Sequence, residues 1–290
     1  MSIRIVLAPL FDVDADANAL KAAYDVARRF EAHVVGLYAR PDPRDILPLI
    51  GEGISRGVME DLMRNAEAEF DQRRDGARAR FDAARAAAEV PLAEAPSRPG
   101  TVSTQWREIT GRPEQVVAEA ARLADLVVFS RTEAADDGAT MRGVFEATLL
   151  GSRRPLLLVP PTAPERIAHG IAIAWNGSAE AAAAVAGAMP FLERAVAVHV
   201  LTAETRRTRA EASMGLAEYL EWHGVSAERR PVRAEGGSSV GAALLGAAGE
   251  AGADLVVMGG YGRARLSELI LGGVTRHVLD RTHLPVLMAH

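Results

Sequence analysis

Apolar residues along the chain come in short unbroken runs separated by longer stretches with helical spacing. Ile3–Leu7 is the first run and predicts a buried strand. Ala15–Phe30 follows with helical periodicity, then a second strand at His33–Tyr38. A long charged helix is predicted over about Val58–Ala88, and a strand around Trp106-Arg107-Glu108-Ile109. Pro113 suits the first turn of a helix running to about Leu123. Asp125–Ser130, a helix over Arg142–Leu150, and the strand Pro155–Val159 complete the series. Strands at Gly170–Trp175, Ala195–Leu201, Arg229–Arg233, Asp254–Met258 and Pro285–His290 then repeat it, with helices at Arg209–His223 and Val274–Leu279.

The repetition extends to the residues themselves. Ala124-Asp125-Leu126-Val127-Val128 returns 129 residues later as Ala253-Asp254-Leu255-Val256-Val257. Arg154-Pro155-Leu156-Leu157-Leu158-Val159 returns 130 residues later as Leu284-Pro285-Val286-Leu287-Met288-Ala289. Two segments in one order at nearly one offset mark a duplication. Its seam falls at the proline-rich Pro160–Pro164, giving domains at 1–161 and 166–290. Apolar strands alternating with helices predict parallel sheets covered on both faces, with ligands expected at the carboxyl ends of the strands.

Composition narrows the function. The chain has 290 residues, 49% of them hydrophobic, and a net charge of −5, which opposes a nucleic-acid partner. It has no cysteine, which excludes thiol chemistry and disulfides and fits a cytoplasmic setting. No apolar run approaches the ~18 residues of a membrane span, so no membrane partner is expected.

The strand Asp254–Met258 opens directly into glycines: Gly259-Gly260-Tyr261-Gly262, with Gly272-Gly273 before the helix at Val274. Glycines at a strand's end let the backbone approach a ligand closely, and amides at a helix start form an anion site. Gly259-x2-Gly262-x9-Gly272 resembles the Gly-x2-Gly-x9-Gly-Ser/Thr motif of ATP-binding universal stress proteins. The resemblance continues through Leu266, Leu269 and Val274 to the final strand, and to Asn176-Gly177-Ser178 after the strand Ile171–Trp175.

That resemblance implies two tandem Rossmann-like α/β domains, each a five-stranded parallel sheet with helices on both faces. It implies fifth strands that meet across a pseudo-two-fold axis. It implies ATP, with or without Mg2+, held in the second domain by Ala174, Trp175, Asn176, Val200, Met258, Gly259, Gly262, Gly272, Gly273, Val274 and Thr275, and a stress-response regulator rather than an enzyme, with any hydrolysis slow and incidental. Gly273 stands where the family has Ser or Thr, and Asn176 where it has Asp. The first copy has Phe129-Ser130-Arg131-Thr132-Glu133 after its fourth strand, which implies a degenerate site. A homodimer and an unidentified protein partner fit the same resemblance. The alternative is an interaction or small-ligand module that has lost nucleotides and uses the apolar loop Ile46–Ile50.

Other patterns have plainer explanations. Gly237-Ser238-Ser239-Val240-Gly241 has the spacing of a hydrolase nucleophile, but serine at a strand-to-helix turn is an ordinary cap. Asp12-x-Asp14-x-Asp16 lacks the glycine and closing acid of a calcium loop and suits a helix start. The seven histidines show no metal-ligand spacing, and no metal site is expected.

Overall fold

A computed structural model describes residues 2–44, 56–95, 100–132, 135–162, 166–203, 211–234, 239–262 and 273–290. The loop Ile46–Ile50 and Gly272 lie outside the described residues. The elements run β1 (Ile5–Leu10), α1 (Ala15–Phe30), β2 (His33–Arg40), α2 (Arg56–Ala87), β3 (Ser103–Thr110), α3 (Pro113–Ala121), β4 (Leu126–Ser130), α4 (Ala135–Ser152) and β5 (Leu156–Val159). The second series is β6 (Gly170–Ala174), α5 (Ala179–Leu192), β7 (Ala197–Ala203), α6 (Glu211–Trp222), β8 (Glu228–Val232), α7 (Val240–Glu250), β9 (Leu255–Gly259), α8 (Gly273–Arg281) and β10 (Val286–Ala289).

The order β3-β2-β1-β4-β5-β10-β9-β6-β7-β8 makes one ten-stranded sheet. Each run of five is parallel, as expected, and the two sheets are joined at their fifth strands, as the resemblance implied. β5 and β10 pair antiparallel, with Leu157 opposite Leu287 and Leu158 opposite Val286. Leu287 is the repeat counterpart of Leu157, so the pseudo-two-fold axis passes between two equivalent residues. Both are fully buried, and closing this seam removes two exposed strand edges.

Alternation along the strands splits the core into two layers. Val6, Ala8, Ile171 and Ile173 face α1, α2, α5 and α6, whereas Leu7, Val35, Ala172 and Val256 face α3, α4, α7 and α8. The helices supply the matching stripes: Leu20, Ala23 and Ala27 of α1, Phe81 of α2, and Ala184 and Ala188 of α5. β3 is longer than its sequence suggests because it pairs over its whole length with β2, from His33↔Ser103 to Arg40↔Thr110. As an outer strand it has a mostly polar, exposed second half, which hides it from a search for apolar runs.

Candidate functional site

In the second run of five, β6 has β7 on one side and β9 on the other. The chain leaves β6 for α5 on one face and leaves β9 for α8 on the other. The carboxyl ends of β6 and β9 therefore bound a crevice at the point where strand order reverses, the usual ligand position in such sheets. Ala174 pairs with Met258 there, and the Trp175 amide donates to the Leu201 carbonyl at 2.9 Å.

The turn after β6 is built from its own side chains. Asn176 Oδ1 accepts the Ser178 amide at 3.0 Å, Gly177 takes φ +75°, and Ser178 Oγ accepts the Ala181 amide at 3.2 Å as the cap of α5. The start of α5 is thereby driven hard against the end of β9. A Cβ on Gly259 would lie 2.5 Å from the Ala181 nitrogen and 2.6 Å from the Glu180 carbonyl carbon. Glycine here serves helix–strand packing. Gly262 is different: a Cβ there would meet only Glu180 Oε2, at 3.7 Å, and one on Gly273 would meet nothing.

The expected site residues divide accordingly. Asn176, Gly262 and Gly273 are exposed around the mouth, and Ala174, Trp175, Gly259 and Val274 are half-buried. Val200 sits one step deeper, fully buried opposite Ile173, and Met258 and Thr275 are also buried.

Three features had no counterpart in the sequence reading. Glu180, at the second position of α5, is a buried acidic residue beside the glycines. Its signal was present: position 180 falls on the stripe 180, 184, 188 that α5 buries. Next, Gly260 is wedged between the halves, donating to the Ala289 carbonyl at 2.9 Å, with its missing Cβ 2.8 Å from Leu149 Cδ2 of α4. Finally, Tyr261, at φ +57°, has its hydroxyl pKa pushed up by burial and by the Glu146 carboxylate of α4. Arg142 of α4 also pairs with Asp280 at the end of α8. The first half thus buttresses the glycine exit of the second.

These features coincide with a recognised family: residues 169–290 match the model of the universal stress protein family. Both runs of five carry the same fold. The whole chain is similar to a universal stress protein from Archaeoglobus fulgidus at 14% identity and TM-score 0.68, covering 98% of this chain and 97% of that one. It is also similar to a universal stress protein from Pseudomonas aeruginosa UCBPP-PA14 at 17% identity and TM-score 0.57, covering 99% and 93%. A functionally unknown protein from Pseudomonas aeruginosa PAO1 matches at 17% and TM-score 0.55, covering 99% and 92%. Such identities speak to the fold. No curated protein matches the chain.

At the equivalent strand end of the first half, aromatic side chains cluster against α4. Phe129 at the end of β4 contacts Phe11 at 6.4 Å and Phe145 of α4 at 5.3 Å between ring centres. The loop after β1 is tied down as well. Asp12, at φ +61°, pairs with Arg80 of α2, and Asp16 accepts the amides of Phe11 and Val13 at 3.0 and 3.3 Å. The aspartates thus brace a helix start, as the sequence suggested, with Asp12 reaching across to α2. Burial pushes the Asp16 carboxyl up to about 7 against those amides.

The remaining patterns take structural roles. Ser239 caps α7, accepting the Ala242 amide at 3.1 Å, and His277 packs against Gly241. Among the described residues there is no group of three or more metal-ligating side chains, and no helix is long and apolar enough to cross a membrane.

Proposed function

We propose that the universal stress protein domain of this chain binds an adenine nucleotide, ATP, in the crevice between β6 and β9, and that the protein acts as a non-catalytic stress regulator. The observation that carries this reading is the open backbone at Gly262 and Gly273. Helix packing accounts for Gly259, but among the described residues a Cβ on Gly262 would meet only Glu180 Oε2, at 3.7 Å, and one on Gly273 would meet no atom within 4 Å. Gly262 presents bare backbone beside the start of α5, and Gly273 opens α8, a nine-residue helix whose first amides have no partner within the helix.

The residues present fit the ligand. Asn176 uses its carbonyl oxygen on Ser178, which leaves its amide nitrogen as a donor for a base. The half-buried Trp175 offers an apolar wall beside it. Gly272, with Gly273, Val274 and Thr275, would complete a phosphate contact at the start of α8. Bound ATP would supply a polyphosphate anion and a planar base. Among the described residues around this mouth no nucleophile stands beside a base, so binding rather than turnover is the expected property. The first half, which has Phe129-Ser130-Arg131 where the second has Met258-Gly259-Gly260, would take no nucleotide and act as a support.

Calorimetric titration of the nucleotide-stripped protein with Mg-ATP tests this, alongside Gly262→Glu. One site per chain, lost in the variant, supports the reading. No heat at millimolar ATP overturns it and leaves the fold as an interaction module.

A further inference from the structure

The helix after the first strand of each half carries an acid at its second position, Asp16 in α1 and Glu180 in α5. Both are deeply buried, at 2% and 6% exposure. In the first half the loop itself satisfies the carboxylate, through the amides of Phe11 and Val13. In the second half two nearby donors are committed elsewhere. The Ser178 amide is held by Asn176 and the Ala181 amide by Ser178. Among the described residues no hydrogen bond or ion pair reaches the Glu180 carboxylate. Its side chain, one methylene longer, runs along the exit of β9: its Cβ lies 2.9 Å from the position of a Cβ on Gly259, and its Oε2 lies 3.7 Å from that on Gly262.

Glu180, a largely buried residue, thus brings a carboxylate oxygen beside the stretch of backbone over which a polyphosphate would lie. Two anions so placed repel strongly at a partly desolvated site unless a cation stands between them. Divalent magnesium suits this arrangement, because it is commonly held by one or two carboxylates together with substrate phosphates and keeps several waters. No group of three ligating side chains exists among the described residues, so the protein alone would hold such an ion weakly.

We propose that Glu180 supplies an oxygen ligand to a divalent cation shared with the nucleotide phosphates, so that this domain recognises the metal–nucleotide complex and disfavours the free polyphosphate. The proposal rests on the nucleotide reading above and adds to it a metal ligand and a selectivity rule.

The test uses the full chain, with ATP titrated in the presence of Mg2+ and again in EDTA, for the natural protein and Glu180→Gln. Removing the metal should weaken ATP binding to the natural protein by about tenfold or more. Glu180→Gln should bind ATP with nearly equal affinity in both conditions. Free Mn2+, followed by its electron paramagnetic resonance signal, should be retained by the natural protein only when ATP is present. In Glu180→Asp, which withdraws the carboxylate by one methylene, that retention should fall even if Glu180→Gln does not fold.

Metal-indifferent ATP binding by the natural protein would overturn the proposal and leave the nucleotide site standing. So would a metal dependence, or a Mn2+ retention, that persists unchanged in the variants. Failure of the natural protein to bind either ATP or adenosine in any condition would overturn both.

Discussion

Arg29 and Arg194 each donate to the main-chain carbonyl of the other. Arg29 Nη2 reaches the Arg194 oxygen at 2.9 Å, and Arg194 Nη1 closes the reciprocal bond. Arg29 lies in the last turn of α1 and Arg194 just beyond α5, so two helix ends are clasped across the pseudo-two-fold axis. Beneath the clasp, Phe30 and Phe191 meet edge to face at 5.1 Å, and the Arg194 guanidinium lies 4.4 Å from the centre of the Phe30 ring. Arg29 also donates to the carbonyls of Ile167 and Ala168, where the chain enters the second half.

Arg194→Ala should therefore lower stability by about 1–2 kcal/mol, the sum of a charged hydrogen bond and a partly exposed cation–π contact. Urea unfolding measures it. A double-mutant cycle with Arg29→Ala should show coupling, because the two residues share partners.

Gly259 and Gly273 should respond in opposite ways. Gly259→Ala forces a Cβ onto the backbone of α5 and should cost about 1–3 kcal/mol in the nucleotide-free protein. Gly273→Ser meets no neighbour and restores a hydroxyl at the start of α8. It should leave stability nearly unchanged and tighten ATP binding by up to about tenfold, one added hydrogen bond. Thermal unfolding without ligand and calorimetry with it separate the two.

Asp16 should make stability depend on pH near neutrality. Its folded-state carboxyl is pushed from 3.8 to about 7, first by burial, so the folded chain holds a proton that the unfolded chain releases. Stability should fall as pH rises through that window, by as much as about 1.4 kcal/mol per unit, and level off above it. Asp16→Asn should flatten the slope. Urea midpoints at pH 5 and pH 8 decide it, and equal midpoint differences in the two proteins would refute the assignment.

Ser239→Ala should cost about 1 kcal/mol through loss of the α7 cap and change no hydrolytic activity. Thermal unfolding, with an ester assay alongside, checks both.

The sequence made the fold legible where burial is two-sided. α1 begins and ends where its periodicity does, at Ala15 and Phe30, because an unbroken apolar stripe lies against the sheet. The repeat offset placed Leu157 and Leu287 in equivalent strands, and their pairing follows. What apolar runs could not show was the single ten-stranded sheet, since pairing between β5 and β10 is a matter of edges rather than periodicity. At the candidate site the turn at Asn176 and Ser178 was readable from local chemistry. Glu180 was not, because a charged residue within an alanine-rich helix reads as solvated until the helix face is known. Tyr261 was similarly hidden, its surroundings coming from α4, more than a hundred residues earlier.

The antiparallel join of β5 to β10 has an evolutionary corollary. When two identical chains meet at such a seam, any substitution is written into both crevices at once, and a change that ruins one ruins the other. Covalent linkage breaks that bond. Each half can then drift alone while its neighbour's presence is guaranteed by the tether rather than by concentration. Phe129 stands at the end of β4 and Met258-Gly259 at the end of β9, so the two counterparts have already diverged. Each half can then change without the other.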